Sequence, residues 1–358
     1  MSLLQSRDLD DAARTLGPWL SERLPGAREL RIEGMSAPPS TGFSNETLLF
    51  DARWTESGEE RSQGLVARVK ATRFQVFPEY DIERQYRVLE ILGETKVPVP
   101  RVYGFEPDAR HLGAPFFVME RIEGEIPPDA PTYHMAGWLT EARPEERERL
   151  WWSGVETMAK VHRLDWRRLR LEFLEPQGSG ATPLERQLDY YGGFLEWVAA
   201  GRPQPVVERA LAWLVRHRPR EAEPVAFCWG DSRLGNMIFR SFRCVAVLDW
   251  EMAVLANPEQ DLAWWLFFDR HHSEGCEAPR LEGFPSREDT IERYREWTGH
   301  PPRHLEYYEV FAAFRFGVIM IRVGQHLVQA GFLAEDSDVE TNNTVTRMLA
   351  RMLDLPPP

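Results

Sequence analysis

"AFCWGDSRLGNMIFRSFRCVAVLDWEMA", residues 226–253, sets Asp231, Asn236 and Asp249 around two short apolar runs. MIFR (237–240) and CVAVL (244–248) have the composition of strands joined through SFR. A two-residue loop at Phe242-Arg243 pairs the runs so that Asn236 stands directly opposite Asp249, with the two side chains about 5 Å apart on one face. A longer loop shifts this register by a step or two, and both residues still leave the same end of the hairpin. An amide and a carboxylate oxygen delivered together suit Mg²⁺, a hard cation that takes oxygen ligands and completes its shell with phosphate oxygens. Asp231, just upstream, presents a separate carboxylate able to orient and deprotonate an attacking hydroxyl, as phosphoryl transfer requires.

Outward from this stretch, the two parts of the chain differ in texture. The first third is rich in strand patterns: ELRIEG, TLLFDARW (47–54), GLVARVKA (64–71), RVYGFE and PFFVMERI, with the polar TESGEERSQ separating the second from the third. Between them, EYDIERQYRVLEILGE puts Ile82, Leu89 and Leu92 on one stripe before a glycine stop, which predicts a helix. From EGEIPP (123–128) onward a proline-rich linker gives way to long helical patterns such as ERERLWWSGVETMAKVHRL and YEVFAAFRFGVIMIRVGQHLV. The expectation is an α+β chain in two lobes, a small N-terminal lobe over 1–122 with an antiparallel sheet and a helix, and a large, mainly helical lobe over 123–358. Clefts at such junctions commonly bind ligands.

With 358 residues, 43% of them hydrophobic, the chain can bury a core in each lobe. A net charge of −13 disfavours a nucleic-acid partner, because acidic surfaces repel polyanions. No uninterrupted apolar run reaches membrane-span length, since VFAAFRFGVIMIRV is broken by Arg315 and Arg322, so no membrane partner is expected. The first dozen residues are acid-bearing and helically patterned rather than signal-like. Cys228, Cys244 and Cys276 form no CxxC pair, and a cytoplasmic location is the expectation.

WGDSRLGNMIF…VAVLDWEMA resembles the catalytic loop and metal segment of the aminoglycoside phosphotransferase and choline kinase-like family, whose fold is protein-kinase-like. That family usually reads His-Gly-Asp-x-x-x-x-Asn followed by a strand into Ile/Leu-Asp. Within it the chain looks nearest to bacterial proteins described as aminoglycoside phosphotransferases and to the kinase-like domain fused to some acyl-CoA dehydrogenases. The resemblance implies a kinase: a transferase moving the γ-phosphate of ATP, with Mg²⁺, to a hydroxyl of a small molecule. It implies Asp231 as catalytic base, Asn236 and Asp249 as magnesium ligands, and Asp261 in NPEQDLAWW as a brace for the loop. It also places Arg68 in LVARVK as the phosphate-binding cation, with Lys70 two residues on along the same strand face.

Gln85 stands where family members usually carry a glutamate that pairs with that cation. It shares the Ile82/Leu89/Leu92 stripe, whereas Glu83 falls on the polar side. Trp229 replaces the family histidine. TGFSNET (41–47) is placed to cover nucleotide phosphates with backbone amides, Ser44 and Thr47, although it lacks GxGxxG. FFVMERIEG resembles the segment joining the lobes, where adenine would bond the backbone near Glu120 and Ile122.

Three other readings compete. Trp229 and Gln85 suit a catalytically weak pseudokinase that only binds. GDSRL with Asp269-x-x-His272 suits a serine hydrolase of the Gly-Asp-Ser type, though the G-x-S-x-G elbow is missing. His271, His272 and Cys276 are zinc-ligand types without a second cluster. His162, on a helical face, is expected to pack or to bond Asp165. Trp152, Tyr190, Tyr191 and Phe194 are aromatic candidates for contacting the acceptor.

Overall fold

A computed structural model describes residues 7–38, 45–72, 74–220 and 224–358. Its contacts divide the chain into two compact units, Met1–Glu123 and Gly124–Pro358.

The first unit opens with helix α1 (Leu9–Ser21), started by the Asp8 side chain accepting from the Asp11 N–H. Strands β1 (Arg28–Ser36), β2 (Asn45–Glu56), β3 (Glu59–Lys70), β4 (Val102–Glu106) and β5 (Phe116–Glu120) form one antiparallel sheet in the order β1-β2-β3-β5-β4. In β2, Leu48, Phe50 and Ala52 alternate with less buried neighbours, the period-2 signature of a sheet with one covered face. Leu16, Trp19 and Leu20 of α1 join Phe50, Leu65, Val69 and Phe116 in the core over that face. Helix α2 (Ile82–Leu92) lies between β3 and β4 in sequence and buries Ile82, Gln85, Val88, Leu89 and Leu92.

TESGEERSQ does not separate β2 from β3. Both strands run through it and turn at Ser57-Gly58, whose φ angles of 51° and 84° supply the left-handed pair that a two-residue hairpin needs. Exposed charged residues at the strand ends hid this extension, because those positions project past the core.

In the second unit, β6 (Ala226–Cys228) pairs with β9 (Val254–Ala256), and β7 (Met237–Arg240) with β8 (Arg243–Val247). The β7–β8 loop is Ser241-Phe242, one residue earlier than expected, again with both φ values positive at 50° and 60°. A register shift between Ile238 and Phe239 then pairs Met237 with Val247. Asn236 therefore faces Leu248, whose N–H donates to the Asn236 carbonyl at 2.9 Å, and Asp249 is one residue farther out. The segment expected to be a free linker is tied down too: Glu125 exchanges two 2.8 Å backbone hydrogen bonds with Phe239.

Around these hairpins stand α3 (Trp138–Glu141), α4 (Pro144–His162), α5 (Pro183–Ala199), α6 (Pro205–His217), α7 (Glu259–Arg270), α8 (Arg287–Thr298), α9 (Leu305–Gln329) and α10 (Thr344–Met352). Every residue from Glu259 to Asp269 is buried, so α7 is an interior helix rather than an amphipathic one. By length and composition α9 could cross a membrane, yet most of it is buried inside this unit. Arg315 at its middle is 1% exposed and donates to the Gly230 carbonyl at 3.0 Å, with its guanidinium 4.5 Å from the Trp264 ring centre.

Gly154 lets α4 approach α7, because a Cβ there would overlap the Trp265 indole, itself packed edge-on against Trp151. Gly154→Ala should therefore destabilise the protein. The helix-propensity gain of about 1 kcal/mol falls short of an overpacking cost of roughly 1–3 kcal/mol. A thermal-unfolding midpoint lowered by a few degrees is expected, and an unchanged or raised midpoint would contradict this packing.

Candidate active site

The loop after β6 is fixed by one carboxylate. Asp261, in the first turn of α7 and fully buried, accepts from the Trp229 N–H at 2.6 Å and the Gly230 N–H at 2.8 Å. Its own carbonyl accepts from the Ser232 hydroxyl at 2.7 Å. Gly230 has φ +91°, and a Cβ there would run into the Met252 carbonyl, so only glycine fits this turn. The position of Asp261 near the α7 N-terminus favours its negative charge.

His162 does not bond Asp165. Its Nε2 lies 2.9 Å from Asp261 Oδ2 and its Nδ1 2.6 Å from the Tyr294 hydroxyl, because the end of α4 points it at α7 and α8. His162, Cys228 and Asp261 cluster closely enough to invite a metal reading. Yet both carboxylate oxygens and both ring nitrogens already serve this hydrogen-bond set, and burial, then Asp261 and Glu259, push the Cys228 thiol well above its usual pKa. Trp229 supplies a polar contact of its own: its indole N–H reaches the carbonyls of Leu248 at 2.9 Å and Asp249 at 3.2 Å, joining the loop to the second arm of the site.

Asp231 is 9% exposed and surrounded by donors. Trp264 Nε1 donates to Oδ1 at 2.8 Å and Asn236 Nδ2 to Oδ2 at 2.6 Å, while Arg233 Nε sits 3.1 and 3.3 Å from the two oxygens. Because the Asn236 amide nitrogen is committed to Asp231, its oxygen is the atom left for a cation. Asp249, held at φ +56°, is close enough for its charge to act on Arg233. The donors that Asn236 and Asp249 offer are oxygens, a set that fits Mg²⁺ rather than a soft metal.

Sequence reasoning missed the contacts that Arg233 and Trp264 make to Asp231. A signal existed for Trp264, since Asp261 and Trp264 are three apart on α7 and must share a face.

In the first unit, Arg68 Nη1 donates to Thr47 Oγ1 at 2.9 Å across the β2–β3 register, with Arg68 and Lys70 on the half-exposed face of β3. Gln85 is 4% exposed on the inward face of α2, whereas Glu83 is exposed. The Glu120 N–H is taken by the Arg101 carbonyl at 2.8 Å, so only the Glu120 carbonyl could serve a bound base, and Ile122 is half-buried. Ser44 lies outside the described residues.

The hydrolase reading fails on geometry. Ser232 is buried and bonded to a backbone carbonyl, Asp269 is taken by Tyr133, His134 and Arg280, and His272 faces Asp129 at 3.8 Å. Of the aromatic candidates, Tyr191 and Phe194 lie in the α5 core, and Trp152 packs edge-on against Trp297 of α8.

The chain has a kinase-like fold. A Ralstonia eutropha protein provisionally described as an aminoglycoside phosphotransferase superposes with TM-score 0.70 at 24% identity, over 95% of this chain and 96% of that one. Plasmodium vivax ethanolamine kinase does so with TM-score 0.58 at 13% identity, over 90% and 83%. The sequence pattern of the phosphotransferase enzyme family matches residues 38–297, and the chain belongs to that family. Acyl-CoA dehydrogenase family member 11 of Rattus norvegicus is 27% identical over 353 residues, which is 96% of this chain and 43% of that protein. The chain thus spans less than half the length of the curated relatives it matches.

His271 and His272 sit on a π-helical turn that continues α7. Burial holds His271 down to about 4 and His272 well below its usual range, so both are neutral at pH 7. A folded-state pKa below the unfolded value means that the unfolded chain binds the extra proton. Stability should therefore be full above about pH 6.5 and fall as the pH drops toward 4, by on the order of 2 kcal/mol for His271 alone. Denaturant unfolding of His271→Gln from pH 7 to 4.5 should show a flatter decline than wild type; equal slopes would contradict a half-buried, neutral His271.

Proposed function

We propose that the protein is an ATP-dependent, Mg²⁺-requiring small-molecule kinase that phosphorylates an alcohol. The observation that carries this reading is the hydrogen bond from Asn236 to Asp231 on a loop braced by Asp261, with Asp249 one residue beyond the paired hairpin. Asp231 orients the acceptor hydroxyl and takes its proton as the new O–P bond forms and the bond to the departing ADP breaks. Asn236 and Asp249 hold Mg²⁺, which when bound neutralises phosphate charge. Arg68 and Lys70 hold nucleotide phosphates, with Gln85 orienting Arg68 through an amide in place of a carboxylate. Thr47 on β2, bonded to Arg68, contributes to the phosphate site, and the backbone at Glu120 and Ile122 takes the adenine.

Support for a small-molecule acceptor comes from family membership and from neighbours named for ethanolamine and macrolide phosphorylation. Longer relatives named acyl-CoA dehydrogenases make hydroxylated acyl thioesters an acceptor class to test beside sugars and aminoglycosides.

Transfer from γ-labelled ATP to such a panel and to a metabolite extract tests the reading. Asp231→Asn should keep ATP affinity within a few-fold and lose transfer by roughly 10²-fold or more. Asp249→Ala should abolish the magnesium-dependent part of ATP affinity in calorimetry. Binding without transfer by the unmutated protein would favour a pseudokinase, and transfer that survives Asp231→Asn would remove Asp231 as the base.

A further inference from the structure

The geometry points to Arg233 and Asp129 as a positioning pair that holds the Asp231 carboxylate in its working orientation while leaving it open to the acceptor. This deepens the reading above and rests on Asp231 acting as base.

Arg233 is a planar fork gripped at both ends. Its Nε straddles the two Asp231 oxygens at 3.1 and 3.3 Å, and its Nη1 is bonded to Asp129 Oδ2. The Phe268 ring lies 5.5 Å from the guanidinium carbon. Burial opposes the charge on Arg233, but Asp231, Asp129 and Asp249 raise its pKa above the usual value, so it stays a cation.

A guanidinium free to choose would pair bidentately with a carboxylate through two parallel N–H bonds. Arg233 instead turns Nη1 to Asp129 and spans the two Asp231 oxygens with the single Nε–H. A bidentate pair would bring two N–H donors to oxygens that already accept from Trp264 and Asn236, whereas one shared N–H leaves more of their lone-pair capacity for a hydroxyl proton. Without Arg233, in turn, the carboxylate could pivot about its two remaining donors.

The backbone makes room for this pair. A Cβ on Gly235 would lie 2.5 Å from Asp129 Oδ1 and 2.6 Å from Arg233 Nη1. Asp129 also stands 3.8 Å from His272 Nε2, which places the anchor against the π-helical turn after α7.

The test uses the full chain with Mg²⁺ and ATP, reading phosphate transfer to water and to any accepted alcohol, nucleotide Kd by calorimetry, and thermal midpoint. Arg233→Met should lower kcat by ~10-fold or more with Kd within about threefold, and Arg233→Lys should recover part of the loss. Asp129→Asn should also lower kcat, and the double variant should be no worse than Arg233→Met, since the two act through one carboxylate. Kcat losses that multiply in the double variant, or that follow Kd, would overturn the pairing.

A second readout does not depend on turnover: the indole N–H resonance of Trp264, identified by its loss in Trp264→Phe, reports the position of Asp231 Oδ1. It should move in both Arg233→Met and Asp129→Asn. An unmoved resonance would overturn the inference even if transfer is found, and a moved resonance in a protein without any turnover would uphold the pair while removing the kinase reading.

Discussion

The backbone N–H groups of Trp229 and Gly230 both end on the carboxylate of Asp261, and the rest of the site is built on that junction. The chain leaves β6, turns through a conformation only glycine adopts comfortably, and must present Asp231 in one direction. A buried carboxylate is costly unless hydrogen bonds compensate it. Asp261 receives two backbone donors and the His162 ring, and His162 is oriented by Tyr294. Four elements, the β6 loop, α4, α7 and α8, are thereby locked to one charge.

Aromatic and cationic side chains packed around this brace pass it on to the geometry of Asp231. Trp264 lies one turn beyond Asp261 on α7 and carries the donor for Oδ1, while Arg315 of α9 packs on its ring and reaches the Gly230 carbonyl. Trp229 ties the loop to the carbonyls of Leu248 and Asp249, so the segments carrying Asp231 and Asp249 are coupled through one indole. Asp129, Asp231 and Asp249 all act on one cation, the Arg233 guanidinium.

Much of this was legible in the sequence because it depends on local spacing. Strand-rich and helix-rich halves follow from periodicity, and the Asp231/Asn236/Asp249 pattern lies within one loop and hairpin. The inward position of Gln85 follows from the 3.6-residue repeat of α2. The register of β7 and β8 was misjudged by one residue, because Ser241 and Phe242 adopt left-handed conformations without a glycine to mark them and a bulge shifts the pairing. Asp129, Arg233 and His162 could not be assigned roles in advance, since their partners are 104, 2 and 99 residues away and depend on how the loop, α4 and α7 come together. Even at the short separation of Arg233 and Asp231, sequence alone does not say which way the guanidinium turns.

Backbone amide hydrogen exchange at Trp229 and Gly230, compared between wild type and Asp261→Asn, tests the brace most directly. The substitution keeps the shape but replaces a charged acceptor pair with one acceptor and one donor. The account predicts that both amides are among the slowest to exchange near the loop in wild type. In the variant they should speed up by on the order of 10²-fold, the equivalent of nearly 3 kcal/mol of lost local protection, while Phe227 and Leu255 in the β6–β9 pair change little. Unaltered exchange at Trp229 and Gly230 in Asp261→Asn would contradict the claim that this carboxylate holds the site together.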